Sequence, residues 1–194
     1  MFRPAVLTSL ALNYYWGELD VTSYHLKNLL AHAGCALLVW LILTQLGRPA
    51  CIALLGALLF AAHPICTEPV NYISNRSELL AALGVLGAFW TYQAAGSKGA
   101  AGLLAASLGL FAAGLLSKSI AIALPALLVV LELYRGGLDR AALRRLAPYL
   151  VVSAAYVAVV YGLIAKALLD EPVRPLAVQT ATQVKALVYN LKLF

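Results

Sequence analysis

Long apolar runs separated by short polar segments dominate the chain from residue 26 onward. Most of them approach the length that a helix needs to cross a bilayer, about 20 residues at ~1.5 Å per residue. The predicted spans cover residues 26–46, 49–62, 79–95, 100–116, 120–134 and 147–169, and another begins within residues 184–194. The pattern predicts an all-α, polytopic transmembrane helix bundle of six to seven spans that forms a single transmembrane domain over residues 1–194.

The N-terminal segment differs from these runs. Residues 4–16 are apolar on one side and end in Asn13, Tyr14, Tyr15 and Trp16. Tyrosine and tryptophan rings are enriched at the headgroup level of membranes. We therefore predict an interfacial helix at residues 4–16.

Composition supports a membrane protein. Hydrophobic residues make up 63% of the 194 residues and charged residues only 11%, against ~45–50% and ~25% in soluble domains. These values exclude a soluble globular protein and intrinsic disorder. The formal net charge of +6 is therefore attributed to membrane topology, and no nucleic-acid partner is expected. Cys35, Cys51 and Cys66 lack the spacing of a disulfide framework or a metal site, and no metal ligands are assigned.

Charge asymmetry predicts the orientation. If the first span runs from outside to inside, one set of basic residues falls in the inner connections: Arg48, Lys98, Arg135, Arg140, Arg144 and Arg145, opposed in those loops only by Asp139. The outer side then receives most of the acids: Glu18, Asp20, Glu68, Glu78, Asp170 and Glu171. The positive-inside rule favours this frame, which places Met1 on the extracytoplasmic face.

Polar residues gather at the outer side, where the first predicted span begins. His25, Asn28 and His32 are spaced by three and four residues, so they are expected on one helical stripe that faces protein. Hydrogen bonding between helices explains such a stripe without any function. A role in organising a site is the alternative.

The densest polar cluster follows the second predicted span, from His63 to Glu78. Asn75 and Glu78 have the spacing of a capping box for the third span, and His63 is suited to the negative end of a helix dipole. Capping does not explain Arg76, whose guanidinium near Glu68 is suited to bidentate recognition of phosphate.

Lys118 lies in a short turn between the fourth and fifth predicted spans. A lysine that extends to the membrane surface is the simplest interpretation. A helix N-terminus capped by Ser117 or Ser119 beside the ammonium would instead form an anion site. Together with Arg76 on the same face, Lys118 predicts a pocket for a phosphorylated lipid headgroup.

These motifs carry a family resemblance. In order they are Phe2-Arg3-Pro4, Leu12-Asn13, Tyr24-His25 with Asn28 and His32, His63-Pro64 with Thr67-Glu68, Arg76 with Glu78, and Leu116-Ser117-Lys118. The set resembles the membrane region of the transmembrane-and-TPR O-mannosyltransferases and their bacterial TPR-containing relatives, within the C-type glycosyltransferase superfamily. The resemblance implies a polytopic enzyme that passes a sugar from a polyprenyl-phosphate carrier to a protein Ser or Thr hydroxyl on the extracytoplasmic side.

The resemblance also implies roles for individual residues. Binding of the donor's lipid phosphate is expected from Arg76, Lys118 and Arg3. The residues expected to organise the site are His63, Glu68, Glu78, His25, Asn28 and His32. The implied donor is a polyprenyl-phosphate-linked sugar, and the implied partners are the lipid bilayer and a protein acceptor.

Three departures from the family pattern limit this transfer. The family places an acidic catalytic loop before the Arg-Pro element, and here Met1 directly precedes Phe2-Arg3-Pro4, so no catalytic residue is assigned. Ser119 stands where the family commonly has Glu. The chain ends at Phe194, where relatives continue, so we expect a fragment or a reduced paralogue.

Two other functions remain open. A membrane scaffold or partner subunit would use the same polar cluster only to hold helices together. A transporter would need polar groups near the membrane midplane, whereas the ionisable residues here gather at one face. The expected location is an integral membrane position, in a bacterial inner membrane with a periplasmic site or in the endoplasmic reticulum of a eukaryote.

Overall fold

The computed structural model describes residues 3–96, 100–170, 180–183 and 185, and no strand occurs among them. It divides into two units, Met1–Ser153 and Ala154–Phe194, which are described separately. The described residues do not include Lys98 or Glu171. Of residues 184–194, where another helix was predicted to begin, they include only residue 185.

Helices follow one another along the chain. The α-helices are α1 Pro4–Gly17, α2 Val21–Gln45, α3 Ala50–Ala62, α4 Thr67–Asn71, α5 Arg76–Ala95, α6 Ala101–Ser117, α7 Leu124–Arg135 and α8 Arg140–Asp170. Short 3-10 turns cover Pro64–Cys66, Ile73–Asn75 and Ser119–Ala123. The prediction of an all-helical protein is confirmed.

Length and composition support two to three of the six to seven predicted spans among the described residues. Among the described residues, two helices are long and apolar enough, Val21–Gln45 and Arg140–Leu163. A third candidate is the pair Ala50–Ala62 and Pro64–Asn71, which is bent by 51° at the break between its two parts. α6 and α7 have 17 and 12 residues, fewer than the ~20 of a typical spanning helix. Two to three candidate spans indicate a membrane protein.

α1 forms where the interfacial helix was predicted. Pro4 occupies its first turn, where the missing N–H has no helical partner to lose. The helix ends before Glu18, whose φ of 46° lies in the left-handed region. Tyr15 and Trp16 are exposed, while Asn13 is completely buried. The location of α1 at a membrane surface stays a prediction.

α5 and α6 form the closest helix pair in the first unit. A Cβ on Gly84 would lie 2.7 Å from the Cα of Gly114, so the two backbones approach too closely for a side chain. The Ser107 hydroxyl donates to the Ala88 carbonyl across the same contact, at 2.6 Å. Around this pair lie the large buried side chains Tyr92, Phe111, Leu124, Leu128 and Tyr149.

α2 and α3 pack beside this core and keep apolar side chains on their outer surfaces. The exposed residues of α3 include Ile52, Leu54, Leu55, Leu58 and Leu59. An apolar outer face of this kind is typical of helices surrounded by lipid. The second unit contains the C-terminal part of α8, where Val157, Val159, Tyr161 and Leu163 are exposed.

Candidate functional site

The first residue of α5 anchors three helices. Arg76 is only 3% exposed. Its Nε donates to Asn28 Oδ1 of α2 at 2.9 Å, and its Nη2 donates to Asn13 Oδ1 of α1 at 3.1 Å. The guanidinium also donates to the backbone carbonyls of Tyr24 and Ser9, at 3.2 and 3.4 Å. Neutral oxygens from α1 and α2 therefore hold the cation at the start of α5.

Both asparagine side chains are fixed in the orientation that Arg76 requires. The Asn13 amide nitrogen donates to Ser23 Oγ at 2.8 Å, and that of Asn28 donates to the Val70 carbonyl at 3.3 Å. Each amide oxygen is thereby left to accept from Arg76. The Tyr24 ring also lies against the guanidinium, 5.5 Å from its central carbon.

This geometry gives Arg76 a structural role in this conformation. A phosphate would have to replace protein oxygens that already accept from the guanidinium. Recognition of phosphate by Arg76 stays a prediction.

Arg3 reaches the next residue of α5. Its Nη1 donates to Ser77 Oγ at 3.1 Å, and Ser77 is almost completely buried. The N-terminal segment is thus tied to the start of α5. The sequence placed Arg3 near Arg76 and did not identify Ser77 as its partner.

Lys118 forms an ion pair with Glu78, in the first turn of α5. The two side chains are 29% and 39% exposed. Ser119 follows Lys118 where the family commonly has Glu. In this chain the carboxylate partner of Lys118 is Glu78. The predicted serine cap is wrong: the 3-10 turn Ser119–Ala123 has no side-chain cap, and Ser117 Oγ instead donates to the Ala113 carbonyl at 2.8 Å.

A cavity of about 410 Å³ lies beside this ion pair. Its wall includes the polar residues His32, Glu68, Asn75 and Glu78. The other lining residues are Cys35, Phe60, Ile65, Cys66, Pro69, Leu79 and Ala82. Mixed walls with a few convergent polar groups are typical of ligand sites.

A second cavity of about 710 Å³ adjoins the first. It is lined by Pro64, Ile65, Thr67, Glu68, Asn71, Tyr72, Ser74 and Asn75. Glu68 and Asn75 line both cavities, and the Asn75 amide donates to Glu68 Oε1 at 2.8 Å. The predicted capping box is wrong, because Asn75 makes no side-chain cap at α5 and is bonded to Glu68 instead.

The histidines have different environments. His32 Nε2 lies 3.1 Å from the Ala61 carbonyl, and its ring stacks on Phe60. His63 follows α3, and its Nδ1 accepts from the Ile65 backbone N–H at 3.2 Å, which caps the 3-10 turn. His25 is exposed. The predicted protein-facing stripe therefore contains Asn28 and His32, and its extension to His25 is wrong.

A buried network at the other end of α5 was missed by the sequence reasoning. Glu132 is 2% exposed and accepts hydrogen bonds from the Tyr92 hydroxyl and from Arg145 Nη2, both at 2.8 Å. Arg135 Nη1 lies 3.6 Å from the same carboxylate. An acid three residues before Arg135 in an otherwise apolar helix was the available signal. Arg48, which donates to the Tyr134 hydroxyl at 3.0 Å, joins this basic end.

Metal binding has no support among the described residues, where no group of three or more His, Cys, Asp or Glu side chains is arranged to hold an ion. The described arrangement instead offers one partly exposed cation, Lys118, and two carboxylates beside a cavity. A carboxylate can accept a proton, and an ammonium can stabilise a departing phosphate.

Comparisons with known proteins give relatives for about half of the chain. Protein O-mannosyl-transferase TMTC3 from Homo sapiens is 37% identical over 91 residues, which are 47% of this chain and 10% of the relative. Protein O-mannosyl-transferase tmtc2 from Xenopus laevis is 40% identical over 78 residues, which cover 40% and 9%. The Homo sapiens TMTC4 protein is 36% identical over 105 residues, which cover 47% and 14%.

The chain therefore spans about a tenth of the length of these relatives. No family model matches it, and no solved structure matches it. The resemblance to bacterial TPR-containing proteins stays a prediction. About half of the chain is homologous to the TMTC protein O-mannosyl-transferases, which confirms the family resemblance seen in its motifs.

Proposed function

We propose that this chain forms part of the membrane region of a glycosyltransferase of the O-mannosyl-transferase type. The donor is a sugar linked to a polyprenyl phosphate, and the acceptor is a Ser or Thr hydroxyl of a protein. The names of the relatives support this reaction class. Lys118, Arg3 and Arg76 supply positive charge to the phosphate-binding part of the proposed site.

The proposed membrane arrangement has six to seven spans and an interfacial α1. α5, α6 and α7 then cross the bilayer as well, with α7 extended by the 3-10 turn Ser119–Ala123. The exposed leucines of α6 and α7 support this arrangement. The cavities face the extracytoplasmic side, since arginines gather at the opposite end of α5. In a bacterium this is the inner membrane with a periplasmic site, and in a eukaryote the endoplasmic reticulum.

The Lys118–Glu78 pair beside the 410 Å³ cavity is the observation that carries the proposal. Lys118 is partly exposed, so its ammonium can exchange Glu78 for a phosphate oxygen without unfolding the protein. Arg3 adds positive charge near the same helix start, and Arg76 positions α1 and α2. His63 and Glu68 shape the loop, and His32 shapes the cavity wall.

Glu68 is the carboxylate best suited to accept a proton. Among the described residues it has an amide partner, Asn75, and no ion pair. It lies between the two cavities, so one can hold the donor and the other the acceptor. In the transfer, the acceptor oxygen bonds to the anomeric carbon and the phosphate leaves with the bonding electrons of its C–O bond. The hydroxyl proton passes to Glu68.

Binding of a polyprenyl phosphate to the full chain in lipid nanodiscs tests the donor site. We expect Lys118→Met to weaken binding by about 10- to 100-fold, the range for a lost charge-assisted contact. Lys118→Arg should retain most of the affinity. Lys27→Met is the matched control, since Lys27 lies over the Trp16 ring, 5.2 Å from its centroid, and lines neither cavity. Unchanged binding by a folded Lys118→Met variant would contradict the proposal.

A second variant separates binding from structural support. Glu78→Gln removes the carboxylate that competes for Lys118, so phosphate binding should become tighter or stay the same. If the Lys118–Glu78 pair only joins α5 to the turn after α6, Glu78→Gln lowers the stability of the protein. In that case neither the wild type nor the variant binds polyprenyl phosphate.

A membrane scaffold or partner subunit is the second candidate function. The four hydrogen bonds between Arg76 and oxygens of α1 and α2 favour it, because they join helices without leaving a free cation. In that case the folded wild-type chain shows no saturable binding of polyprenyl phosphate.

A further inference from the structure

A third cavity lies outside the site described above, between α6 and α8. Its volume is about 380 Å³. It is lined by Leu104, Ala105, Leu108, Arg144, Arg145, Pro148 and Tyr149. All of these residues belong to the first unit. The outer site uses none of them.

The wall of this cavity is basic at one end and apolar further along the axis of α8. Arg144 and Arg145 lie in the second turn of α8, and Pro148 follows Arg144 by four residues on the same face. Leu104 and Leu108 have the same spacing on α6. Basic groups therefore stand near the start of α8, and apolar groups lie about 6 Å further along, since each residue adds ~1.5 Å.

The two arginines are not equivalent. Arg145 donates to the buried carboxylate of Glu132 at 2.8 Å, so much of its charge is balanced by protein. Arg144 is exposed and, among the described residues, forms no ion pair or hydrogen bond. Arg144 is thus the cation available to a ligand in this cavity.

The surrounding charge has the same sign. Arg135 and Arg140 stand near Arg144 in the chain, and Glu132 and Asp139 offset only part of their charge. The Asp139 carboxylate accepts from the Ala142 backbone N–H at 2.6 Å, where it caps α8. Anionic headgroups are attracted to clusters of arginine beside a membrane helix, and basic pockets between such helices bind acidic lipids.

We propose that this cavity binds an acidic phospholipid, with the phosphate on Arg144 and an acyl chain against Leu104, Leu108 and Pro148. A soluble anion would leave the apolar part of the wall unfilled, and a zwitterionic lipid would gain less from the positive end. The occupant is therefore an anionic membrane lipid. The inference uses only the membrane location of α8 and does not depend on the glycosyltransferase proposal.

Native mass spectrometry of the full chain, released from micelles with added phosphatidylglycerol or phosphatidylcholine, tests the site. We expect wild type to retain phosphatidylglycerol preferentially. Arg144→Gln should lower that retention about fivefold, the effect of one arginine at a membrane surface. Arg140→Gln is the matched control, because it removes the same charge on the same helix from a residue that does not line the cavity.

Ala105→Phe gives a second test, because it fills the apolar part and keeps Arg144. Reduced phosphatidylglycerol retention by a folded Ala105→Phe variant supports a site that holds both headgroup and chain. Equal loss in Arg140→Gln and Arg144→Gln would overturn the proposal in favour of diffuse surface charge. Complete competition by inorganic phosphate would overturn it in favour of a simple anion site.

Discussion

The two ends of α5 bury arginine in opposite ways. At its start, Arg76 is surrounded by neutral oxygens from Asn13, Asn28 and two backbone carbonyls. At its last turn, Tyr92 meets the Glu132 carboxylate, which is paired with Arg145. Arg76 is stabilised by neutral dipoles alone, whereas Arg145 is stabilised by the full negative charge of Glu132.

This difference affects the potential at each end. Arg76 keeps its whole charge and sits at a helix N-terminus, where the helix dipole is also positive. Glu78 in the same turn compensates for part of that charge and is itself shared with Lys118. The start of α5 is therefore suited to attract an anion, whereas at the other end the Glu132 carboxylate balances much of the charge of Arg145. Burial of arginine alone does not decide whether a region recognises anions.

Removal of Arg76 should have the largest effect. Arg76→Met leaves two amide oxygens and two carbonyls without their donor, so we expect a loss of about 3–4 kcal/mol in the free energy of unfolding. Circular dichroism during denaturation in detergent measures it. Arg48→Met is the matched control, since Arg48 is exposed and makes one hydrogen bond to Tyr134, and it should cost about 0.5 kcal/mol. Equal losses would mean that the dipole network contributes little.

Glu132→Gln should cost somewhat less, about 2–3 kcal/mol, because glutamine keeps the shape and some hydrogen bonds while Arg145 loses its counter-charge. Combining Glu132→Leu with Arg145→Met should cost less than the sum of the two single changes. A double-mutant cycle on unfolding free energies measures this coupling. A coupling energy near zero would mean that Glu132 and Arg145 do not stabilise each other, so the two ends of α5 would not differ in how they stabilise arginine.

Gly84→Ala tests whether both networks depend on the close approach of α5 to α6. The added Cβ would meet the Gly114 backbone, so we expect a loss of about 2 kcal/mol. Gly109→Ala on α6 is the control, because its Cβ meets nothing within 4 Å, and better helix propensity should stabilise it by up to about 1 kcal/mol. Thermal unfolding of both variants in the same detergent makes the comparison. Similar midpoints would show that α6 can move away without cost.

Tyr92→Phe should give the smallest change, a loss of about 1 kcal/mol, because Glu132 keeps both arginines and loses one neutral donor. Tyr15→Phe, at an exposed tyrosine, should be neutral. Chemical denaturation with both variants measures the difference. A loss as large as that of Glu132→Gln would mean that the hydroxyl, and not the ion pair, holds this network together.

Helix positions were largely predictable from apolar runs and breaking residues. The run at 49–62 corresponds to α3 at Ala50–Ala62, since Pro49 and Pro64 mark its limits. The starts of α2 and α8 were predicted five and seven residues too late. In both cases an acid caps the true start: Asp20 accepts from the backbone of Thr22 and Ser23, and Asp139 accepts from Ala142. The first turns of α2 and α8 contain polar residues, so the apolar pattern does not show where these helices begin.

The partners within the site were less predictable. Lys118 and Glu78 are 40 residues apart, and Arg76 lies 48 to 67 residues from its four acceptors. These contacts depend on the rotation of each helix about its axis. α5 carries apolar residues on all its faces, so the hydrophobic pattern does not define that rotation. The sequence identified most of the chemically important residues at the outer end but not their pairing.

The short length of α3 has a consequence for the surrounding lipid. Its 13 residues rise only about 20 Å, whereas the hydrocarbon layer is about 30 Å thick. The chain bends by 51° directly after it, so the next segment adds less height than a straight continuation of the helix would. A membrane that meets the exposed leucines of α3 alone would become thinner there. Lipid headgroups on that side would then be drawn down toward the mouth of the Glu68 cavity.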